Sequence, residues 1–418
     1  MKLKDHRSGL LGGTFPTGNT RAYVSVQGGF IPPAAVPRDC PRRGSRYSSA
    51  MPLSPRERAL AVLRHQRPDC VPWFGDLDYL ATAQIGRGQR PEGFKQSAAY
   101  LDWHRELRLG FYLQGYFPFR TTFDKCRVTE TREGFSRIRR IETPHGTLQD
   151  RWTWLPESFT EGPVEHLLKS AADLPAYQFM QADMRHEADY SFGETRGPQI
   201  GDFGLHLAYL PKSPFMQIIA LDAGIIATVD MIEDAPELFA ETLEVARRSH
   251  DAAAALAVAS PAELLMIPEN LSSESVGPAL FERFMRPYQE TWTKRIRAAG
   301  KFSCMHLDGT LRGLIRQECT VGFDFVESMT PAPVGDLAVE DWKSFCGKTP
   351  TIFWGGIPGA YFSPTVSDAE FERHVRATLA VMRTEPRYVL GVADQVPPDG
   401  LESRLRRVAE LVEECGAY

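Results

Sequence analysis

The chain has 418 residues, of which 43% are hydrophobic and 24% are charged, and it carries a formal net charge of -5. This composition is typical of a globular protein with a large core and excludes a fibrous or low-complexity chain. The negative charge argues against a nucleic-acid-binding protein, and no apolar run approaches the roughly 20 residues that a membrane-spanning helix needs.

The seven cysteines are spread along the chain without a Cys-x-x-Cys pair. This spacing argues against a zinc ribbon or a disulfide-stabilised scaffold, and it predicts reduced thiols in a cytoplasmic protein. Cys304 is interpreted as a small packed hydrophobic residue.

Residues 1–50 contain scattered Gly, Pro, Arg and Ser without sustained periodicity, and they lack the apolar segment of a secretory signal. They are interpreted as a disordered tail or as an upstream, misassigned start. Residues 51–418 are then predicted to form a single folded domain. Within it, Ser54 is the expected N-cap of the first helix, with Pro55 at the first helical position and Glu57 completing a capping box.

The next predicted elements are a short strand at 71–76, which ends at Asp76, and a helix within residues 94–118. From 121 to 155 the sequence changes to an alternating pattern rich in Thr, Arg and Ile, with a Pro-His-Gly turn. This pattern predicts an inserted antiparallel hairpin or small sheet, which could serve as a lid. A long amphipathic helix follows Asp234, and His250 on its apolar stripe is interpreted as a packing residue.

The carboxyl-terminal half alternates short apolar strands with helical segments. The predicted strands end at polar or glycine residues, namely Glu269, His306 with Asp308, Glu327, Gly355 with Gly356, and Asp394. Consecutive strand-then-helix units predict parallel strands with right-handed crossovers. We therefore predict an α/β fold of the (β/α)8 TIM-barrel type, which brings all the strand ends to one face. An open doubly wound sheet is the alternative, but no Gly-x-Gly-x-x-Gly or other phosphate-binding loop favours it.

His306 and Asp308 are two residues apart at a strand end, so their side chains should lie on the same face. Together with Glu327 they are the predicted catalytic residues. Residues at the end of the first strand, in or before the loops after 76, 112 and 206, and at the Gly-Gly strand end are predicted to contact the substrate, and these are Trp73, Asp76, Tyr112, His206 and Gly356. The alternatives are a packed His306, a turn at Asp308 and a core position for Trp73.

Seven segments together resemble the uroporphyrinogen decarboxylase and cobalamin-dependent methyltransferase superfamily over residues 54–415. They are SPRER at 54–58, RPDCVP at 67–72, TPHGTL at 143–148, EDAPE at 233–237, MHLDG at 305–309, WGGIP at 354–358 and QVPPD at 395–399. The resemblance implies a (β/α)8 barrel. Residues 74–79 replace the arginine-containing segment with which the decarboxylases bind substrate carboxylates, so the resemblance favours the methyltransferase-like branch.

In the corrinoid methyltransferases of that superfamily, a His-x-Cys pair and a later Cys hold zinc. His306 matches the histidine, while Asp308 and Asp394 stand at the cysteine positions. The resemblance therefore implies a divalent metal, most simply zinc, on His306, Asp308 and Asp394, with Glu269 as an additional ligand. One His with carboxylates makes a harder site than two thiolates and suits an oxygen better than a sulfur. A metal-free acid–base site is the alternative.

The implied activity is the transfer of a methyl group from a small methoxylated or N-methylated substrate to a corrinoid. The chain has no Asp-x-His-x-x-Gly segment, so the cobalamin is expected on a partner corrinoid protein. A cofactor-free decarboxylase or other lyase of a small carboxylate is one alternative, and a catalytically retired barrel that serves as a binding protein is another. The substrate and the oligomeric state stay open, with a homodimer among the options.

Overall fold

The structure, a computed structural model, describes residues 52–418. The predictions about the tail at 1–50 lie outside the described residues. Helix α1 (Pro55–Leu63) begins after the N-cap Ser54, whose backbone N–H donates to Glu57 Oε2 at 2.8 Å. The Glu57 N–H donates in return to Ser54 Oγ at 3.2 Å. The predicted capping box is confirmed.

The strands belong to a central barrel or to an insertion in it. In chain order they are β1 (Trp73–Phe74), β2 (Phe111–Tyr112), β3 (Phe119–Phe123), β4 (Arg127–Glu133), β5 (Ser136–Thr143), β6 (Gly146–Leu155), β7 (Thr160–Glu165), β8 (Met184–Ala188), β9 (Gly204–Leu205), β10 (Leu207–Tyr209), β11 (Leu264–Leu271), β12 (Phe302–Leu307), β13 (Phe325–Met329), β14 (Ile352–Pro358) and β15 (Tyr388–Ala393).

Most of the other helices follow the barrel strands and surround them. They are α2 (Asp78–Gly86), α3 (Ala98–Glu106), α4 (Leu174–Asp183), α5 (Ser191–Ile200), α6 (Pro214–Gln217), α7 (Ile225–Asp234), α8 (Pro236–Ala259), α9 (Pro278–Leu280), α10 (Arg286–Ala298), α11 (Ile315–Val321), α12 (Val339–Cys346), α13 (Asp368–Met382) and α14 (Glu402–Cys415). None of the helices within residues 52–418 has the length and apolar character needed to cross a bilayer.

Parallel pairing closes the strands into a ring. One continuous sheet has the order β1-β15-β14-β13-β12-β11-β10. On the other side Phe74 bridges Gly110, β2 pairs with β9, and β9 continues into β10 after His206. With β9 and β10 counted as one interrupted strand, eight parallel strands form the barrel. The predicted (β/α)8 TIM-type fold is confirmed.

Alternation along the strands divides the core into an inner and an outer part. The side chains inside the barrel include Phe74, Tyr112, Cys304, Phe325 and Trp354, all buried. Ala59, Val62 and Leu63 of α1 belong to the same cluster and cover the amino ends of the strands. Cys304 is fully buried and packs as predicted. The larger outer cluster lies between the strands and the helices.

The insertion is a four-stranded antiparallel sheet of order β4-β5-β6-β7. An antiparallel pair, β3 with β8, connects it to the barrel. The predicted insertion at 121–155 is thus confirmed as a small sheet, but β7 extends it to Glu165. The predicted end is too early because Gly162 and Pro163, both turn-forming residues, interrupt the alternation in β7.

Cys319 of α11 and Cys346 of α12 form a disulfide, with their Cα atoms 5.7 Å apart. The prediction of reduced thiols is wrong for this pair. The two helices pack side by side, which brings together cysteines 27 positions apart in the chain. Spacing along a sequence contains no information about such a contact.

Candidate active site

His306 lies at the carboxyl end of β12 and is held from two neighbouring elements. It is 7% exposed, and it faces Glu327 of β13 in the parallel register. Its Nδ1 donates to Glu327 Oε2 at 2.7 Å. The hydroxyl of Tyr112 on β2 donates to the other oxygen, Glu327 Oε1, at 2.9 Å. The orientation of the imidazole is therefore fixed by a carboxylate that is itself fixed.

The other nitrogen of His306 is left for another group. Its Nε2 is buried and has no hydrogen-bond partner among the described residues, and Asp394 Oδ1 lies 3.8 Å away. Asp308 Oδ1 is likewise buried without a partner there. Leaving a buried polar atom unpaired costs about 1–3 kcal/mol. Two such atoms near one carboxylate indicate that a ligand completes this site.

Asp394 follows β15 and has a left-handed backbone conformation with a φ of 65°. Its N–H donates to Ser328 Oγ, next to Glu327, which holds the residue in this conformation. Non-glycine residues with positive φ are uncommon and cost free energy, and they concentrate at functional sites. The side chain is 35% exposed, so the site is reachable from solvent on this side.

Three carboxyl groups, those of Glu327, Asp308 and Asp394, act on the imidazole, and Asp76 lies near two of them. Burial raises the pKa of Asp394 to about 7, and Asp308 and Glu327 add to this shift while His306 opposes it. Burial also raises the pKa of Asp308. It raises the pKa of Asp76 strongly, and the charges of Asp394 and Glu327 raise that pKa further. Burial would lower the pKa of His306, but Glu327 and the two nearby aspartates raise it to about 9.

The floor of the site is aromatic. The Trp354 ring contacts those of Phe74, Tyr112 and Phe325, with centroids 5.2, 5.0 and 5.5 Å apart. The hydroxyl of Tyr209 on β10 donates to Gln114. A dry floor lowers the local dielectric constant, which strengthens the electrostatic interactions of the charged groups above it.

The comparisons with known proteins concern mainly the half of the chain that carries these groups. Residues 213–415 match the family model of uroporphyrinogen decarboxylase (URO-D). This part of the chain is therefore similar to that family. A methyltransferase from Methanosarcina mazei has a similar structure, with a TM-score of 0.55 and 13% identity over 87% of this chain and 99% of that one. At this identity the similarity shows a shared fold. No curated protein sequence matches the chain significantly.

Six of the residues predicted from sequence come together at the carboxyl end of this barrel. They are Asp76, Tyr112, His306, Asp308, Glu327 and Asp394. Their assigned roles in catalysis, substrate binding and metal binding stay predictions. Lys212, Ser328 and Trp354 also belong to this region, and sequence reasoning missed them.

Glu269 does not reach this group. It is fully buried, and it accepts hydrogen bonds from the Ser213 backbone N–H at 3.1 Å and from Gln289 Nε2 of α10 at 3.3 Å. Met266 faces the barrel interior, so Glu269, three positions later, has the opposite phase of the strand alternation. The expectation of a metal ligand at Glu269 is corrected accordingly.

Three predicted substrate contacts also face elsewhere. The Trp73 ring stacks on Phe362 outside the barrel, with centroids 6.4 Å apart, because its neighbour Phe74 takes the inward position. A Cβ at Gly356 would point at Met382 of α13, in the helical layer. Trp73 is therefore a core residue, and neither it nor Gly356 lines the site.

His206 lies at the opposite end of the barrel. Its backbone N–H donates to Glu263, the residue before β11, at 3.1 Å, and its ring stacks on Tyr116. The two terminal guanidinium nitrogens of Arg56 pair with Glu263 at the same amino end. Parallel strands place a residue that begins one strand far from residues that end its neighbours. The predicted substrate contact at His206 is corrected for this reason.

The donor chemistry of His306, Asp308 and Asp394 fits a hard divalent cation, and the unpartnered atoms Nε2 and Oδ1 fit its ligands. Glu327 behind the imidazole is the usual partner of a metal-bound histidine. However, no three His, Cys, Asp or Glu side chains within residues 52–418 have the spacing of ligands to one ion. The metal therefore stays a prediction.

Proposed function

We propose that this chain is a methyltransferase that moves a methyl group from a small methoxylated or N-methylated substrate to a corrinoid on a partner protein. The observation that carries the proposal is His306, whose Nδ1 is fixed by Glu327 and whose buried Nε2 has no partner among the described residues. A methoxyl oxygen or an amine nitrogen is a poor leaving group. Its departure therefore needs an electrophile or a proton at this point.

His306, Asp308 and Asp394 are the residues that would hold a divalent metal, with zinc the first candidate. A bound metal would supply a Lewis acid that polarises the heteroatom carrying the methyl group. Glu327 and Tyr112 keep the imidazole in the orientation that presents Nε2 to the ligand. The aromatic floor under these groups keeps water away from the reacting atoms.

The same imidazole can also act without metal. With a pKa of about 9, His306 is protonated at neutral pH and carries a proton on Nε2 beside Asp394. As the bond between the methyl carbon and the heteroatom breaks, its electron pair stays on the heteroatom, which takes up this proton, and the methyl group would pass to the Co(I) centre of the partner's corrinoid. The neutral imidazole then takes up a proton from solvent, and Asp394 lies in position to stabilise the imidazolium that forms again.

The proposal is tested with purified wild type, His306→Ala and the control His186→Ala, which removes a histidine of the insertion stalk. Wild type and the control should consume added cob(I)alamin with a methoxylated or N-methylated donor, and His306→Ala should be slower by about 100-fold or more. Metal content measured on the same samples shows whether an ion accompanies His306. A His306→Ala variant as fast as wild type would contradict the proposal.

A cofactor-free decarboxylase or other lyase of a small carboxylate is the second candidate. The family match itself favours it, and so does the cationic His306, which would stabilise negative charge left by departing CO2. Release of CO2 from a small carboxylate without cobalamin would identify this activity. A retired barrel that serves as a binding protein would bind ligand and show neither reaction.

A further inference from the structure

Lys212 lies beyond the carboxyl end of β10, on the side of the site formed by β10 and β11. Its Nζ donates to the Pro268 carbonyl oxygen and, at 2.7 Å, to Asn270 Oδ1. It acts electrostatically on Asp308, for which His306 and Lys212 are the attractive cations. Lys212 is half-buried, and burial lowers the pKa of its ammonium to about 8 while Glu269 and Asp308 oppose this shift.

The loop that carries Lys212 is pinned by buried groups on three sides. His250 Nδ1 donates to the Lys212 carbonyl oxygen at 2.8 Å, and the Ser213 N–H donates to the buried carboxylate of Glu269. The Tyr288 hydroxyl donates to the Pro211 carbonyl oxygen at 3.3 Å. This accounts for His250 and Glu269, two buried polar residues that the proposed reaction does not use. They fix the backbone from which the lysine extends.

Neither hydrogen-bond partner of Lys212 carries a charge. Both acceptors are neutral, one a backbone carbonyl and the other an amide oxygen. No carboxylate oxygen in the described part of the chain lies within 4.0 Å of the ammonium. An ammonium has three donors, and the third is not committed. A cation held this way, beside a site with unpartnered buried atoms, has the properties of an anion-binding group.

We propose that Lys212 binds a carboxylate of the substrate. A single lysine with one open donor suits a singly charged carboxylate better than a phosphate, for which proteins gather several donors. The methyl donor is then a small molecule with a carboxylate near Lys212 and a methoxyl or N-methyl group near His306. This substrate class rests on the proposed methyl transfer, whereas the carboxylate site at Lys212 does not.

The test measures binding by calorimetry with matched pairs of probes that differ in one group. Methoxyacetate is compared with 2-methoxyethanol, and N,N-dimethylglycine with N,N-dimethylethanolamine. Wild type should bind the carboxylate member of each pair about 10- to 100-fold more tightly, as expected for a charge-assisted hydrogen bond. Lys212→Met should abolish this preference, and Lys212→Arg should restore part of it.

Lys301→Met is the matched control. Lys301 is also partly buried and donates to a backbone carbonyl, that of Ser260, but it lies at the amino end of β12. This variant should keep the full preference. A Lys212→Met protein with the wild-type preference, or a wild type without one, would overturn the proposal. The two proposals can fail separately. If Lys212→Met loses the preference for carboxylate probes but wild type consumes no cob(I)alamin with any methyl donor, the carboxylate site is supported and the methyl transfer is rejected.

A second measurement uses the wild-type protein, so it does not depend on how the variants fold. Acetic anhydride modifies accessible lysines, and mass spectrometry gives the rate at each position. Methoxyacetate should slow the acetylation of Lys212 but not that of Lys301, whereas 2-methoxyethanol should affect neither. Equal rates at Lys212 with the two compounds would count against the proposal.

Discussion

Glu327→Gln separates the two effects that set the protonation of His306. Burial alone would lower the pKa of this histidine, and the carboxylate of Glu327 is the largest influence that raises it, to about 9. Glutamine keeps the shape of the side chain but removes its charge. Asp308 and Asp394 still oppose the effect of burial, so the pKa of His306 should fall from about 9 toward its usual value of 6.5.

The size of the effect on stability follows from linkage. A histidine whose pKa is 6.5 when unfolded and about 9 when folded stabilises the protein fully below pH 6.5 and loses this contribution as the pH rises through 9. The contribution is about 3 kcal/mol at pH 6, about 2 kcal/mol at pH 7.5 and near zero at pH 10. The destabilisation caused by Glu327→Gln should therefore shrink by about 3 kcal/mol between pH 6 and pH 10.

Both measurements use protein that has been treated with a chelator to remove any bound metal. The imidazole resonance of His306, assigned with a His306→Gln variant, is titrated by NMR, and the free energy of unfolding is measured in urea across the same pH range. Glu318→Gln is the control, since Glu318 is also fully buried but contacts Gln289 instead of His306. A His306 pKa that stays near 9 in Glu327→Gln, or a destabilisation that is the same at every pH, would refute the reasoning.

Three other outcomes are expected, each measured by urea unfolding. Burial lowers the pKa of His104 to about 3. The free energy of unfolding should therefore fall by about 2 kcal/mol between pH 7 and pH 5 because the unfolded state takes up a proton on His104 that the folded state does not. His104→Phe should remove this loss, and equal acid sensitivity of the two proteins would contradict the prediction. A Cβ at Gly355, where φ is +145°, would lie 2.4 Å from the Met329 carbonyl oxygen. Gly355→Ala should lower the free energy of unfolding by more than about 3 kcal/mol. The control Gly277→Ala, whose Cβ would meet nothing within 4 Å, should lower it by about 1 kcal/mol or less. Similar losses in the two variants would contradict the prediction. Ser54→Ala should cost about 1 kcal/mol through loss of the N-cap, and no change would mean that α1 is held by packing alone.

The parts of the site that depend on local pattern could be predicted from sequence. His306 and Glu327 each end an apolar strand, and neighbouring parallel strands place such ends together. Asp394 follows the last strand in the same way. The capping box at Ser54 is also a local signal, since its two hydrogen bonds join residues three apart.

The errors come from features that the sequence pattern does not contain. Trp73 and Glu269 lie in strands that were identified, but their inward or outward direction depends on the phase of the alternation within the closed barrel. His206 was expected to contact the substrate, but it lies at the amino end of the barrel strands, and nothing in the local sequence indicates which end a residue occupies. Lys212 could have been found, because it is the first charged residue after the apolar strand β10, as Asp394 is after β15.

The stalk of the insertion has a consequence for how proteins of this kind can evolve. The chain leaves through β3 and returns through β8, and the two are paired from Phe119 with Ala188 to Phe123 with Met184. The departing and returning backbones are thus adjacent, whatever length of chain lies between them. Insertions and deletions between these points need not change the span that the barrel must bridge. Homologous proteins can therefore differ in the segment between β3 and β8 and still keep the barrel and His306 unchanged.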